Sequence, residues 1–167
     1  NDGALGITVY QGGRKGSAST ADLSESAIKQ TVSAAVNIAK YTSEDKFSGL
    51  ADKSLLAMTP EDLDLHHPKA LNTDKAIEIA IACEQVARSY DKRITNSDGA
   101  SLASFEGFKV YGNSHGQIVG YPSSRHSLSC VVIANEDDDM QRDYAYTVNR
   151  DFDLMMSPEQ VGDKAAK

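Results

Sequence analysis

Apolar and polar positions alternate at the start of the chain. Leu5 to Tyr10 carries β-branched Ile7, Thr8 and Val9 in a period of two, which predicts a strand. Gly12-Gly13 supplies a turn with positive φ, and Arg14 to Thr20 returns as a second strand. The period then changes. Asp22 or Ser24 can cap a helix with Glu25 in its first turn, and Ile28, Val32, Ala35, Val36 and Ala39 form one stripe opposite Lys29, Gln30, Ser33, Asn37 and Lys40. Residues 42 to 71 hold no sustained period. They read as a long connection with one short helix near Thr59-Pro60-Glu61-Asp62, ended by His66-His67-Pro68. A second long helix is predicted from about Thr73 to Tyr90. Its stripe is Ile77, Ala80, Ile81, Ala87 and Tyr90, widened by Ile79, Cys83 and Val86, and this breadth predicts deeper burial than the first helix.

From Arg93 onward the period is again two. The predicted strands are Ile94–Asn96, Ser101–Glu106, Lys109–Gly112, Gln117–Tyr121, His126–Ala134 and Arg142–Asn149, separated by Gly-, Asn- and Asp-containing turns. Short turns between consecutive strands make them antiparallel. Ser157-Pro158-Glu159-Gln160 is a capping-box helix start. The expected fold is α+β: an antiparallel sheet with two long helices packed on one face, in a single domain spanning 1–167.

Composition narrows the function. A net charge of −7 disfavours non-specific binding of nucleic acid, whose phosphates it would repel, and suits a protein or peptide partner. Cys83 and Cys130 fall in apolar runs without zinc-type spacing and read as free, buried thiols. No stretch reaches the ~18 apolar residues of a membrane helix. A reducing cytoplasm is the expected location. The chain starts without Met and stops inside a helix that has barely begun, so it reads as a piece of a longer protein.

Candidate chemistry is sparse. His66 and His67 are neighbours on an extended segment and point apart, His115 sits in a Gly-Asn-Ser-His-Gly turn, and no paired-His helix or Cys/His cluster occurs. The acidic run Glu136 to Asp139 lacks the alternate ligands and central Gly of a calcium loop and reads as a hairpin tip. Ser123-Ser124-Arg125-His126-Ser127 places hydroxyls near a histidine but lacks the small-residue frame of a nucleophile elbow. Gly12-Gly13-Arg14-Lys15-Gly16 lacks the spacing of a phosphate loop. Two binding features remain: a free sheet edge, able to take a peptide as an extra strand, and the hairpin Gln141 to Asn149 with Tyr144 and Tyr146 on one face.

Several stretches resemble one family. Leu5-Gly6-Ile7-Thr8-Val9-Tyr10 followed by Arg14-Lys15-Gly16-Ser17-Ala18-Ser19-Thr20 resembles the first β-hairpin of the PmbA (TldE) proteins of the TldD/PmbA metalloprotease family. Arg93 to Gly99, Lys109 to Gly116, Ser124 to Ser129, Asp139 to Thr147 and Ser157 to Gly162 continue the resemblance in order and with compatible spacing. It implies the later part of an N-terminal domain, with the C-terminal domain absent, from the PmbA-like partner of a TldD-like subunit. That heterodimer acts in the cytoplasm as a metalloprotease on small peptides and antitoxins and matures ribosomally made peptide antibiotics. An older family label, modulator of DNA gyrase, implies the alternative of a regulatory binding protein without protease role. The resemblance places the metal, expected to be zinc, on a His-Glu-x-x-x-His helix and a cysteine of TldD. This sequence has no such motif, so no catalytic, metal or cofactor residue is assigned to it. Contacts to peptide or partner are expected at Arg14, Lys15, His115, Arg125, His126, Tyr144 and Tyr146. No nucleic-acid or membrane partner is expected.

Overall fold

The computed structural model describes residues 3–57 and 59–167. The chain gathers into two compact units, Asn1–Ala57 and Met58–Lys167, each with its own sheet and helical layer.

In the first unit β1 (Leu5–Gln11) and β2 (Arg14–Thr20) form an antiparallel hairpin through Gly12 and Gly13, whose φ values are 57° and 72°. Helix α1 (Glu25–Tyr41), capped by Ser24, lies on this hairpin. Its buried line is Thr31, Ala35 and Ala39, while Val32 of the expected stripe is exposed. The reason is Gly16 on β2: a Cβ there would overlap the Ala35 carbonyl and the Ala39 amide. Helix and strand approach so closely that small residues take the contact line. The short helix expected at 59–62 is absent. Thr59 onward is irregular, and the helical turn falls earlier, at Lys53–Leu55, where Asp52 caps it.

The second unit contains α2 (Thr73–Ser89), β3 (Ile94–Gly112), β4 (Ile118–Glu136), β5 (Asp139–Asn149) and α3 (Pro158–Ala166). The sheet order is β3-β4-β5, antiparallel throughout. The long helices thus lie on separate sheets, α1 on the hairpin and α2 on the three-stranded sheet beside α3. Six expected strands become three because the turn residues are absorbed in the ladder. Bulges take up Thr95 and Asp98, Gly99 adopts φ 94°, and Gly107 and Pro122 stay within paired strands.

The core is Cys83, Ala87, Ile94, Leu128, Cys130, Val132, Ala145, Val161 and Ala165. Cys83 and Ala87 bury while Ile77, Ile81 and Tyr90 are exposed, so α2 is rotated from its expected stripe and is no more buried than α1. Gly162 of α3 lies against the α2 backbone at Cys83 and Ala87. Ser157 caps α3 in the expected capping box.

Cys83 and Cys130 are buried free thiols. Burial, then the neighbouring Cys130, pushes Cys83 up to about 12. Because the unfolded thiol ionises near 9, its contribution to stability is complete below that pH and is lost as pH rises through about 12. The urea midpoint is therefore expected to decline progressively above pH 9, and Cys83→Ala should flatten that decline. An equal slope in the variant would assign the alkaline loss to other groups.

Candidate functional site

Alternation along the second sheet sorts its two faces. Leu128, Cys130 and Val132 of β4, with Ala145 of β5, point to the helices. The intervening residues point the other way, and among the described residues of this unit no helix or strand is packed on that face. Cross-strand register builds it in rows: Gly99-Val131-Tyr144, Ser101-Ser129-Tyr146, Ala103-Ser127-Val148, then Phe105-Arg125 and Lys109-Tyr121. Small residues floor the middle. Tyr144 and Tyr146, 59% and 58% exposed, stack along one side with ring centroids 6.3 Å apart. Phe105, 64% exposed, folds its ring over Gly107, where a Cβ would meet the ring at 2.9 Å.

β5 pairs β4 only from His126 to Glu136, so β3 and β4 run on as a two-stranded arm to the Asn113–Gln117 turn. The Asn113 side-chain oxygen accepts from the His115 amide at 3.0 Å, and Gly116 closes the turn with φ 87°. Phe108, Val110 and Ile118 are exposed on the arm's other face. The outer edges of β3 and β5 carry no paired strand among the described residues.

Where the arm leaves the sheet, the helix side carries a buried polar clasp. Ser124 and His126, two residues apart on β4, are fully buried on this side. The Ser124 hydroxyl accepts from the His67 amide at 2.8 Å and donates to the Arg150 carbonyl at 2.7 Å. The Ser124 amide donates to the Leu65 carbonyl at 2.9 Å, and Arg150 Nη1 donates to the Ser124 carbonyl at 2.9 Å. His126 Nε2 donates to the His67 carbonyl at 3.1 Å, its Nδ1 meets the Ser104 hydroxyl at 2.9 Å, and its ring packs edge-on to Phe152. The segment around His67 is thereby tied to β4, and the Lys69–Asp153 ion pair at 2.7 Å continues the tie. Ser124 has its proton and an acceptor site committed to backbone, and both His126 nitrogens are engaged. The pair acts as a fastening and offers no free nucleophile.

The expected contact residues therefore separate. Arg125, Tyr144 and Tyr146 come together on the open face. His126 is buried beneath the opposite face, with no surface to offer a partner. His115 sits half-buried in the turn at the arm's tip. Arg14 and Lys15 belong to the first unit, where Arg14 Nη1 donates to the Thr42 carbonyl at 2.5 Å and Lys15 is exposed. Phe105, Lys109 and Tyr121 were missed as partners of Arg125. Their period-two placement was visible, but Gly107 and Pro122 hid the register that aligns them.

Among the described residues, no three His, Cys, Asp or Glu side chains are placed to hold a metal ion. Nor is any helix among them long and apolar enough to cross a membrane.

Comparison with known proteins gives a consistent set of likenesses. Residues 1–39 match the model for PmbA/TldA metallopeptidase domain 1, and residues 66–167 match that for the PmbA/TldA metallopeptidase central domain. Two curated relatives are each 56% identical over 167 residues: a Haemophilus influenzae protein named Metalloprotease PmbA homolog and an Escherichia coli O157:H7 protein named Metalloprotease PmbA. The alignments cover 100% of this chain and 37% of each relative. A solved Bacteroides thetaiotaomicron structure, whose name connects it with modulation of DNA gyrase, superposes with TM-score 0.85 at 27% identity over 98% of this chain and 38% of its own. The structure of TldE from Thermococcus kodakarensis shares the fold, with TM-score 0.71 at 18% identity over 98% of this chain and 36% of its own.

Proposed function

The chain belongs to the PmbA/TldA metallopeptidase family, and from that premise we propose that it is the non-catalytic, peptide-holding part of a two-subunit metallopeptidase acting in the cytoplasm. In this reading a TldD-like subunit carries the zinc and cleaves small peptides, among them antitoxins and peptide-antibiotic precursors. This chain presents extended polypeptide to it and contacts it.

The observation that carries the reading is the open face of the second sheet, bordered by the outer edges of β3 and β5, which no strand pairs among the described residues. A peptide laid along such an edge satisfies its backbone N–H and C=O groups on the strand, which gives affinity with little demand on sequence. Aromatic side chains on the adjoining face add contact area at low entropic cost. The two histidines nearest one another in the clasp are already engaged. His126 is enclosed by Ser104 and the His67 carbonyl, and the His67 ring faces the Asp64 carbonyl at 3.0 Å.

The test mixes the full-length protein with a TldD-like subunit and an unfolded peptide. Cleavage is expected to need both proteins and to fall about tenfold or more when Tyr144 and Tyr146 are both replaced by Ala, the loss expected of an aromatic anchor. Equal cleavage by the TldD-like subunit alone would overturn the reading. If gyrase were captured as well, a regulatory role would replace it.

A further inference from the structure

The sequence carries 24 acidic residues against 17 Lys and Arg, yet these charges are not spread evenly over the second sheet. On the helix side, Glu136 and Asp143 rim a hollow with Asp91, Asp137 and Asp139, five carboxylates beside two cations, Arg93 and Lys167, of which Arg93 pairs with Asp91 and Glu136. The open face carries Lys109 and Arg125, exposed and free of ion pairs and side-chain hydrogen bonds among the described residues. The carboxylate beside its rows at the β3 bulge, Asp98, is paired with Arg142 at 2.8 Å. Each free cation stands directly opposite an aromatic ring in the register, Arg125 facing Phe105 and Lys109 facing Tyr121.

We infer that this face docks an acidic, extended polypeptide segment, with Lys109 and Arg125 meeting its carboxylates while Phe105, Tyr121, Tyr144 and Tyr146 take its apolar side chains. The inference deepens the peptide-holding reading and rests on it. Charge complementarity names the occupant: a basic peptide would place cations against two unpaired cations, and the small-residue floor leaves room for an extended backbone between the aromatic borders. A single-stranded nucleic acid could also stack on aromatic rings beside cations, but the net charge of −7 repels a polymer with a charge on every unit.

The experiment measures fluorescence anisotropy of the full-length protein without any TldD-like subunit. The probes are a labelled, unstructured peptide of Glu, Ser and Leu, its Lys-for-Glu counterpart and single-stranded oligothymidylate. The acidic peptide is expected to bind tightest and to weaken as salt rises. K109E/R125E should cost it about tenfold or more and give the Lys peptide a corresponding gain. Both positions are exposed. Should the double variant melt early, Arg125→Gln reads the same loss at about threefold. Equal binding of the two peptides, indifference to these substitutions, absence of binding, or tighter oligothymidylate binding would each overturn the inference. Cleavage that needs this protein but shows no acidic preference would overturn the inference and leave the peptide-holding reading standing. Acidic-peptide binding with cleavage indifferent to this protein would do the reverse.

Discussion

Gly162→Val is expected to destabilise the second unit by about 4 kcal/mol, at the upper end of overpacking substitutions. Gly162 sits where α3 crosses α2. A Cβ there would overlap the Cys83 carbonyl and lie 3.0 Å from Val86 Cβ and 3.1 Å from the Ala87 nitrogen. Two of those three obstacles are backbone atoms, so no rotamer change relieves the clash and α3 must move out. Moving it uncovers Val161 and Ala165, both in the core with Cys83 and Ala87. The loss therefore combines strain with about 1.5–3 kcal/mol of forfeited burial for a side chain of Val size. Urea unfolding read by hydrogen exchange at α3 and Leu128 measures it. Gly162→Ala should show at least half the effect, while Ser157→Ala, which removes only the cap, should cost about 1 kcal/mol. A Gly162→Val midpoint within about 0.5 kcal/mol of the parent, the range of ordinary surface changes, would mean that α3 is not held against α2 as described. Because the chain has two units, the transition must be followed by unit-specific probes.

The same crossing shows why helix faces were harder to read than strands. Hydrophobic periodicity ranks Val32, Ile77 and Ile81 as inward positions, yet all three are exposed, and Thr31, Ala35, Ala39, Cys83 and Ala87 take the contact lines. Size decided this: β2 and α3 present glycines whose positions lie against the backbone of the helices opposite, and a large side chain does not fit at that approach. A glycine and a small residue carry little signal in a hydrophobic stripe. Strand alternation survived better. Tyr144 and Tyr146 share the open face as expected, and Arg125 joins them because it lies an even number of positions from Val131 and Ser129 on β4. Where alternation misled was at Gly107 and Pro122, residues that usually break strands. Here the Phe105 ring shields the glycine, and the proline lies on β4 before its pairing with β5 begins.

The α+β class and the capping box of α3 were legible because each rests on neighbours in sequence. Family membership was legible through ordered motifs, and no single catalytic residue conveyed it. The clasp was not legible. It joins residues as far apart as His67 and Ser124, and nothing in a Ser-Ser-Arg-His string distinguishes a fastening from a reactive pair. Only the partners decide that: three of the four closest contacts of Ser124 and His126 are backbone groups, which cannot turn over in a reaction.

Ser124→Ala is the decisive substitution for that clasp, with an expected loss of about 3 kcal/mol from the second unit. The buried hydroxyl is shared by the His67 amide and the Arg150 carbonyl. Alanine fits the space but offers neither an acceptor nor a donor, so the two backbone groups that meet the fully buried Ser124 side chain lose that partner together. Each costs about 1–3 kcal/mol when left unpaired, the larger values applying where water cannot enter, and Ser124 is 0% exposed. Ser129→Ala, on the open face of the same strand, should stay within about 0.5 kcal/mol. His126→Ala removes the second hold on His67, its carbonyl. Since both side chains fasten one residue, His67, through its amide and its carbonyl, the double variant should cost less than the two single losses added, by about 1 kcal/mol. Hydrogen exchange localises the effect: the His67 amide should lose protection in Ser124→Ala while the amides of Leu128 and Cys130 respond only through global unfolding. An additive cycle with His67 still protected would show that the segment is held by Lys69 and Asp153 instead, and that Ser124 is free for other work.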